Sequence, residues 1–206
     1  MIVYFNGNFV PEAEAVVPIN DRGLLYGDGL FETIRVSHGQ PFRLAQHLER
    51  FQRGADFLKI VSPLKTKEIH KVVAEFMTKN DVKNGIMRMT MTRGAGERGY
   101  TPGPDSQPLF AITIQATPEK NPQAAASWSM VTSTHQVPAN DVVAAFKTTD
   151  KLLHVLARAE ARERGADEAL LLNSNGEVAE AAGGTIFWIF QNRVAFIFGP
   201  GFSISS

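Results

Sequence analysis

The 206-residue sequence contains no cysteine. Disulfide bonds, thiolate nucleophiles, and zinc or iron–sulfur sites built on cysteine are therefore excluded. Neither sign of charge is in excess, because 21 Lys and Arg residues are matched by 21 Asp and Glu residues. A chain of zero formal charge lacks the basic field typical of nucleic-acid-binding proteins, so we expect no nucleic-acid partner.

Long hydrophobic runs are absent as well. No stretch reaches the roughly 18 consecutive apolar residues that a membrane-spanning helix needs. The first residues show no basic segment followed by an apolar one, the pattern typical of a secretory signal. These features favour a globular protein without a membrane partner. The absence of cysteine fits any redox compartment, and a cytoplasmic location is our expectation.

The apolar residues that are present predict both helices and strands. Helical spacing over 43–58, and again from about Thr66, predicts two amphipathic helices. A third helix is expected from about Asp150 to Arg164, with Asp150 as its N-cap. Around these helices, alternating apolar residues and turn-forming Asn-Gly pairs predict strands and hairpins.

Strand alternation is most regular in residues 85–94. Met87, Met89 and Met91 fall on one face of the predicted strand, and polar residues fall on the other. The whole pattern predicts an α+β fold in two lobes. We expect an N-terminal lobe over 1–118, a Pro- and Ala-rich linker over 119–126, and a C-terminal lobe over 127–206.

Lys147 follows an apolar run and precedes a predicted helix. Partial desolvation of a lysine at such a strand-to-helix junction lowers its pKa. An amine activated in this way forms a Schiff base with a carbonyl such as that of pyridoxal phosphate. The cofactor's ring nitrogen then needs a carboxylate, and Glu180 ends a predicted strand. Taken alone, however, a surface lysine and an exposed acid are the commoner interpretation of these two residues.

A phosphate group needs backbone N–H donors and a cation. Gly183, Gly184 and Thr185 follow Glu180 and offer N–H groups and a hydroxyl. Arg50, on the first predicted helix, offers a guanidinium for bidentate contacts. The simpler alternatives are a plain turn for the glycines and a solvated helix position for Arg50.

Three further residues suit a substrate carboxylate, namely Arg93, Arg98 and Tyr100. They lie in the Gly-rich segment 92–103, directly after a predicted strand. A flexible hairpin loop is the alternative. The five histidines show no metal-ligand spacing, and structural or surface positions are expected for all of them, so we predict no metal site.

Four segments, in chain order, together resemble the fold-type IV pyridoxal-phosphate enzymes, the class IV aminotransferase family. They are DRGLLYGDGLFETIRV, PFRLAQHLERFQRGADFL, FKTTDKLLHVLARAEARERGADEALLLN and GEVAEAAGGTIFW. The resemblance implies a D-amino-acid aminotransferase-like fold with two lobes, a homodimer, and pyridoxal 5'-phosphate as cofactor.

The resemblance also implies a role for each candidate residue. Lys147 would carry the cofactor and act as a general base, and Glu180 would pair with its ring nitrogen. Arg50, Gly183, Gly184 and Thr185 would bind its phosphate. Phe31, Arg98 and Tyr100 would contact a small-molecule amino substrate.

Within the family, RGAGERGY and TIFW are most similar to aminodeoxychorismate lyases. The function expected from this is release of pyruvate from 4-amino-4-deoxychorismate, giving 4-aminobenzoate for folate synthesis. D-amino-acid aminotransferases usually carry Arg-x-His in the same loop, where this chain has Arg98 and Tyr100. An aminotransferase acting on D- or branched-chain amino acids is therefore the alternative.

The chain departs from the family pattern in three places. Glu-Gly-Ser-x-Ser-Asn is replaced by Glu180-Ala181-Ala182-Gly183-Gly184-Thr185, which removes two hydroxyls. Phe31 stands where some transaminases have Tyr. The family's later Gly-(Ile/Val)-Thr-Arg turn is missing, so we expect an incomplete C-terminal lobe and, as a second alternative, an inactive truncated homologue. Apolar side chains expected to lack cover are Phe187, Trp188, Phe190, Phe196 and Phe198.

Overall fold

The computed structural model describes residues 1–104, 106–118, 127–191 and 193–196. These residues form two compact units. The first unit contains the described residues up to 118 together with Phe146–Asp150, and the second contains the remaining described residues from 127 onward. The predicted linker, 119–126, lies outside the described residues, and the predicted lobe boundaries stay predictions.

A six-stranded antiparallel sheet forms the first unit. Its strands are β1 (Ile2–Phe5), β2 (Asn8–Pro11), β3 (Gly29–Ser37), β4 (Gln40–Pro41), β5 (Gly85–Thr92) and β6 (Leu109–Ala116). They lie in the order β2-β1-β6-β5-β3-β4. The predicted turn at Asn6-Gly7 joins β1 to β2, and both residues have positive φ (46° and 94°), as a two-residue hairpin turn requires.

Three helices accompany this sheet. They are α1 (Arg22–Tyr26), α2 (Leu44–Leu58) and α3 (Thr66–Asn80). The helical spacing predicted α2 and α3, and apolar side chains of both enter one core with the sheet. The largest of the fully buried members are Phe76 of α3 and Phe110 of β6. Each such side chain contributes about 1.5–3 kcal/mol, more than a typical exposed ion pair, so apolar burial holds the unit together.

Residues of β5 and β3 alternate between the helix-covered face of the sheet and its other face. Met87, Met89 and Met91 are completely buried, which confirms the predicted alternation. On β3, Ile34 is buried in the same core. Glu32 has the same parity as Ile34 and is also buried, with 1% of its surface exposed. A carboxylate therefore lies among apolar side chains on the helix-covered face.

The second unit contains a three-stranded sheet and a separate hairpin. The sheet strands are β7 (Met130–Val137), β8 (Glu168–Asn173) and β9 (Val178–Ala181), and α4 (Leu152–Glu163) connects the parallel pair β7 and β8. The hairpin consists of β10 (Phe187–Phe190) and β11 (Arg193–Phe196). No helix in the described part of the chain is long and apolar enough to cross a membrane.

The predicted third helix is confirmed as α4, but its predicted N-cap, Asp150, was wrong. The helix begins at Leu152, and its N-cap is Lys151, whose side chain makes no capping hydrogen bond. Asp150 lies one residue before this N-cap, directly after a residue that pairs with β3. The Thr149 N–H donates to the Gly29 carbonyl at 2.9 Å, which keeps the backbone in strand-like pairing up to this point.

Two of the apolar side chains that were expected to be exposed are exposed, and both lie in β10. Phe187 is 63% exposed and Trp188 is 37% exposed. Phe198 lies outside the described residues, as do the side chains of Phe190 and Phe196.

Glu160 joins α4 to β7. Ser133 Oγ donates to its carboxylate at 2.6 Å, and the Thr134 N–H donates at 2.9 Å. Arg164 Nη1 donates to the other carboxylate oxygen at 3.2 Å. These hydrogen bonds, with that of Ser133 the strongest, lower the pKa of Glu160 to about 2. The ionised carboxylate therefore stabilises the contact between helix and strand.

We predict that Glu160→Gln makes the thermal stability of the protein less dependent on pH under acidic conditions. A carboxylate with a lowered folded-state pKa contributes its full stabilisation above its ordinary pKa and loses it as the pH falls through the folded-state value. Thermal unfolding of the wild type should therefore lose this contribution between about pH 4.5 and about pH 2. Glu163→Gln, at an exposed position of the same helix, is the control and should keep the wild-type profile. Identical profiles for the wild type and Glu160→Gln would contradict this prediction.

Candidate functional site

Lys147 is positioned by backbone pairing with the first residues of β3. The Phe31 N–H donates to the Lys147 carbonyl at 2.8 Å. Leu30 and Thr148 form an antiparallel bridge beside it. Because backbone hydrogen bonds fix the Lys147 Cα, the start of its side chain has a defined place at the edge of the sheet.

The apolar run before Lys147 is not the predicted strand. Residues Val142–Ala145 form a short 3-10 helix. The Val143 N–H donates to Asp141 Oδ1 at 2.8 Å, and this side-chain contact favours the turn over an extended strand. Lys147 itself enters strand-like pairing only at the edge of β3.

The Lys147 ammonium lies against an aromatic ring. Its Nζ is 4.6 Å from the centroid of the Phe31 ring, within range of a cation–π attraction. The guanidinium carbon of Arg88 is 3.8 Å from the same centroid. Partial burial lowers the pKa of Arg88. The structure therefore brings the predicted residues Lys147 and Phe31 together and adds Arg88, which was not predicted, to a positively charged surface.

Arg50 lies on α2 and binds Glu32. Its Nε donates to Oε1 and its Nη2 to Oε2 of Glu32, both at 2.6 Å. His47 Nδ1 lies 2.7 Å from Glu32 Oε2. The hydrogen bond to Glu32 raises the pKa of Arg50. The Arg50 side chain is still 41% exposed, so an anion can approach the guanidinium from solvent.

Glu32 was not among the residues predicted for the site. The available signal was an acid on the buried face of an otherwise apolar strand, since such an acid needs a cation or several donors. Glu32 and Phe31 are adjacent on β3, so their side chains point to opposite sides of the sheet. Arg50 and Lys147 therefore contact opposite faces of the same strand.

Glu180 lies on β9 in the second unit, where His154 contacts it. His154 Nε2 is 2.9 Å from Glu180 Oε1. His154 Nδ1 is buried and has no hydrogen-bond partner among the described residues. Since an ionised carboxylate only accepts, the geometry assigns a proton to Nε2, which donates to Glu180. His154 was expected to be structural or exposed, and its contact with Glu180 was not predicted.

The predicted phosphate segment follows β9 as a tight turn. Gly183, Gly184 and Thr185 are all exposed. The Ala181 N–H donates to the Gly184 carbonyl at 3.1 Å, and the Gly184 N–H donates back over a long 3.4 Å. A Cβ on Gly183 would lie 3.1 Å from Glu168 Oε2, so a larger residue there would need a small shift of that carboxylate. The Gly184 N–H is thus already engaged within the turn.

Arg98 and Tyr100 lie in the loop that follows β5, which we call the 93–100 loop. Both side chains are exposed, and that of Tyr100 is 86% exposed. The loop belongs to the first unit, with Lys147, Phe31 and Arg50, whereas Glu180 and the glycine turn belong to the second.

Comparison with known proteins places these residues in a family context. Residues 29–196 match the family described as amino-transferase class IV. The Methanocaldococcus jannaschii protein named "Putative branched-chain-amino-acid aminotransferase" is 37% identical over 195 residues, covering 94% of this chain and 67% of that protein. The aminodeoxychorismate lyase of Bacillus subtilis is 28% identical over 190 residues, covering 91% and 64%.

A solved structure matches as well. The T.th. branched-chain amino acid aminotransferase, solved with pyridoxamine 5'-phosphate, superposes with a TM-score of 0.89 at 28% identity. The match covers 97% of this chain and 68% of that one. The chain thus spans about two thirds of the length of these three relatives. The predicted α+β, fold-type IV architecture is confirmed, and the chain belongs to the class IV amino-transferase family of pyridoxal-phosphate-dependent enzymes.

Proposed function

We propose that the protein is a pyridoxal-phosphate-dependent lyase of the aminodeoxychorismate lyase type. It would release pyruvate from 4-amino-4-deoxychorismate and form 4-aminobenzoate. The observation that carries the cofactor chemistry is the Lys147 amine, held by backbone pairing at the sheet edge with its Nζ against Phe31. The preference for the lyase rests on the segments RGAGERGY and TIFW.

The donor groups suit pyridoxal phosphate chemically. Lys147 supplies an amine for the aldehyde, Arg50 a partly exposed guanidinium for the phosphate from the other side of β3, and Glu180 a carboxylate for the ring nitrogen. Gly183 adds a backbone amide in an exposed turn. Together with Gly184 and Thr185, these are the residues that we propose would hold the cofactor.

When bound, the cofactor supplies an electron sink for a developing carbanion. Lys147 would hold it and then serve as the general base that removes a proton from the substrate. The His154 N–H would keep the Glu180 carboxylate oriented through its hydrogen bond. Phe31, Arg98 and Tyr100 would contact the amino substrate, with the arginine suited to a carboxylate.

An aminotransferase acting on D- or branched-chain amino acids is the second candidate. It is favoured by the 37% identity to the Methanocaldococcus protein, whose name gives a branched-chain activity. The same Lys147 would serve, since transamination also begins with proton removal beside the amine. The two candidates therefore differ in their substrate contacts.

Three further properties belong to this proposal through the family resemblance. They are a homodimer, a cytoplasmic location, and a place for the product in folate synthesis. A sedimentation measurement of the purified protein tests the first of them, and a monomer at micromolar concentration would contradict it.

We predict that Lys147→Ala abolishes cofactor attachment. The purified wild type with added pyridoxal phosphate should give a visible absorption band, and borohydride reduction with peptide mapping should locate the adduct on Lys147. Lys151→Ala, which removes a lysine four positions later in the chain, is the matched control and should keep the band. A band that survives Lys147→Ala would overturn the assignment. A wild-type adduct spread over several lysines would instead favour the inactive homologue.

The reaction type is tested with the wild type. A lyase should release 4-aminobenzoate and pyruvate in equal amounts from 4-amino-4-deoxychorismate, with no keto acid added. An aminotransferase should instead require a keto acid and convert D-alanine or a branched-chain amino acid. Turnover that depends on a keto acid, with no 4-aminobenzoate released, would replace the lyase by the second candidate.

A further variant tests the phosphate contact of Arg50. We predict that Arg50→Gln raises the Kd for pyridoxal phosphate by at least about tenfold, the loss expected for a charged hydrogen bond. The Kd for pyridoxal, which has no phosphate, should change little, and equilibrium dialysis measures both. Arg53→Gln, at an exposed position of the same helix, is the control. An equal loss of affinity for both compounds would refute the phosphate role of Arg50.

A further inference from the structure

Arg22 of α1 is a buried cation whose donors reach three different residues. Only 3% of its surface is exposed. Its Nε donates to Asp28 Oδ2 at 2.9 Å, while Nη1 and Nη2 donate to the Gly99 and Tyr100 carbonyls, each at 2.8 Å. The planar guanidinium can span these acceptors because its donors project in fixed directions. Arg22 therefore joins the start of β3 to the end of the 93–100 loop.

Asp28 extends this contact to the start of the same loop. Arg93 Nε donates to its Oδ2 at 2.7 Å, and Arg93 Nη2 donates to its Oδ1 at 3.0 Å. Partial burial raises the pKa of Asp28, but hydrogen bonds from Arg93 and Arg22 outweigh it, so the pKa lies below its ordinary value. The ionised carboxylate thus binds two arginines, one of them within the loop.

The loop is anchored on both sides of Arg98. Before it, the Gly96 N–H donates to the Asn20 carbonyl at 3.2 Å. After it, the Gly99 N–H donates to the Tyr26 hydroxyl at 3.2 Å. The Arg98 backbone is therefore confined, while its side chain is exposed.

Tyr100 has an anchor of its own. The Tyr26 and Tyr100 rings meet edge to face with centroids 5.4 Å apart. The Arg22 guanidinium carbon lies 4.9 Å from the centroid of the Tyr26 ring. One buried arginine thus contacts both the Tyr100 backbone and the ring on which Tyr100 packs.

We propose that Arg22 is a positioning residue that holds the 93–100 loop in the conformation presenting Arg98 and Tyr100 to the substrate carboxylate. The proposal rests on the proposed function only in giving these two side chains a substrate role. Backbone anchors reduce the conformations available to the loop before binding, so less entropy is lost when the substrate is bound.

The first test measures loop conformation and needs no activity. In Arg22→Lys the charge remains, but an ammonium cannot reproduce the planar contacts to Asp28, Gly99 and Tyr100. Tryptic cleavage after Arg98 should become at least about tenfold faster, because the lost charged hydrogen bonds held the cleaved bond in place. Cleavage after Arg88, inside β5, is the internal reference and should stay slow. Arg53→Lys, an exposed position on α2, is the control and should match the wild type.

The second test separates positioning from general stability. Arg22→Lys should raise KM for the amino substrate by roughly tenfold and leave kcat and the cofactor absorption band unchanged. Tyr26→Phe, which removes only the hydroxyl acceptor for the Gly99 N–H, should move cleavage and KM in the same direction by a smaller factor. This milder variant also keeps the test informative when Arg22→Lys does not fold.

Three outcomes would overturn the positioning role. They are unchanged cleavage after Arg98, cleavage after Arg88 that rises equally, and faster loop cleavage with unchanged KM. An absent cofactor adduct on wild-type Lys147 would instead refute the proposed function. The cleavage comparison would then still decide whether Arg22 holds the loop.

Discussion

The backbone pairing between residues 147–149 and the start of β3 is the constraint on which the candidate site depends. It brings Lys147 beside Phe31, although the two are far apart in the sequence. The bonds join main-chain atoms, so they fix the Lys147 Cα whatever the neighbouring side chains are. The same pairing continues to Thr149, two residues before the N-cap of α4 at Lys151. One edge pairing therefore fixes the backbone of the residue that carries the amine.

The signature DRGLLYGDG has a structural explanation in this molecule. Asp21 accepts from the Gly23 N–H at 2.8 Å and from Thr92 Oγ1 at 2.7 Å, so it caps α1 and joins it to β5. A Cβ on Gly23 would overlap Thr92 Cγ2, which leaves no space for a larger residue. Gly27 has a φ of +69°, and its missing Cβ admits Asp150. The motif therefore packs α1 closely between β5 and the Lys147 segment.

Local features of this fold could be predicted from the sequence, whereas side-chain partners could not. The alternation around Met89 and the spacing in α2 depend on residues close in sequence, and both predictions were confirmed. The family could be identified because its motifs are local as well. The pairing of Glu32 with Arg50 needs α2 to lie against β3, and the contact of His154 with Glu180 needs α4 to lie near β9. Such side-chain contacts follow from the packing of the whole unit, which pattern analysis of a single sequence does not reveal.

The chemistry proposed for Lys147 does not distinguish lyase from aminotransferase, because both reactions need an amine base and an electron sink. The distinction must therefore come from where the substrate's acidic groups are held. The Lys147 face of β3 already carries the guanidinium of Arg88 over Phe31. The 93–100 loop carries a second guanidinium, Arg98, between backbone anchors. Under the proposed function, a substrate would be selected by how well its anionic groups match these cations, so the reaction type would depend on the loop and on β5 more than on the lysine.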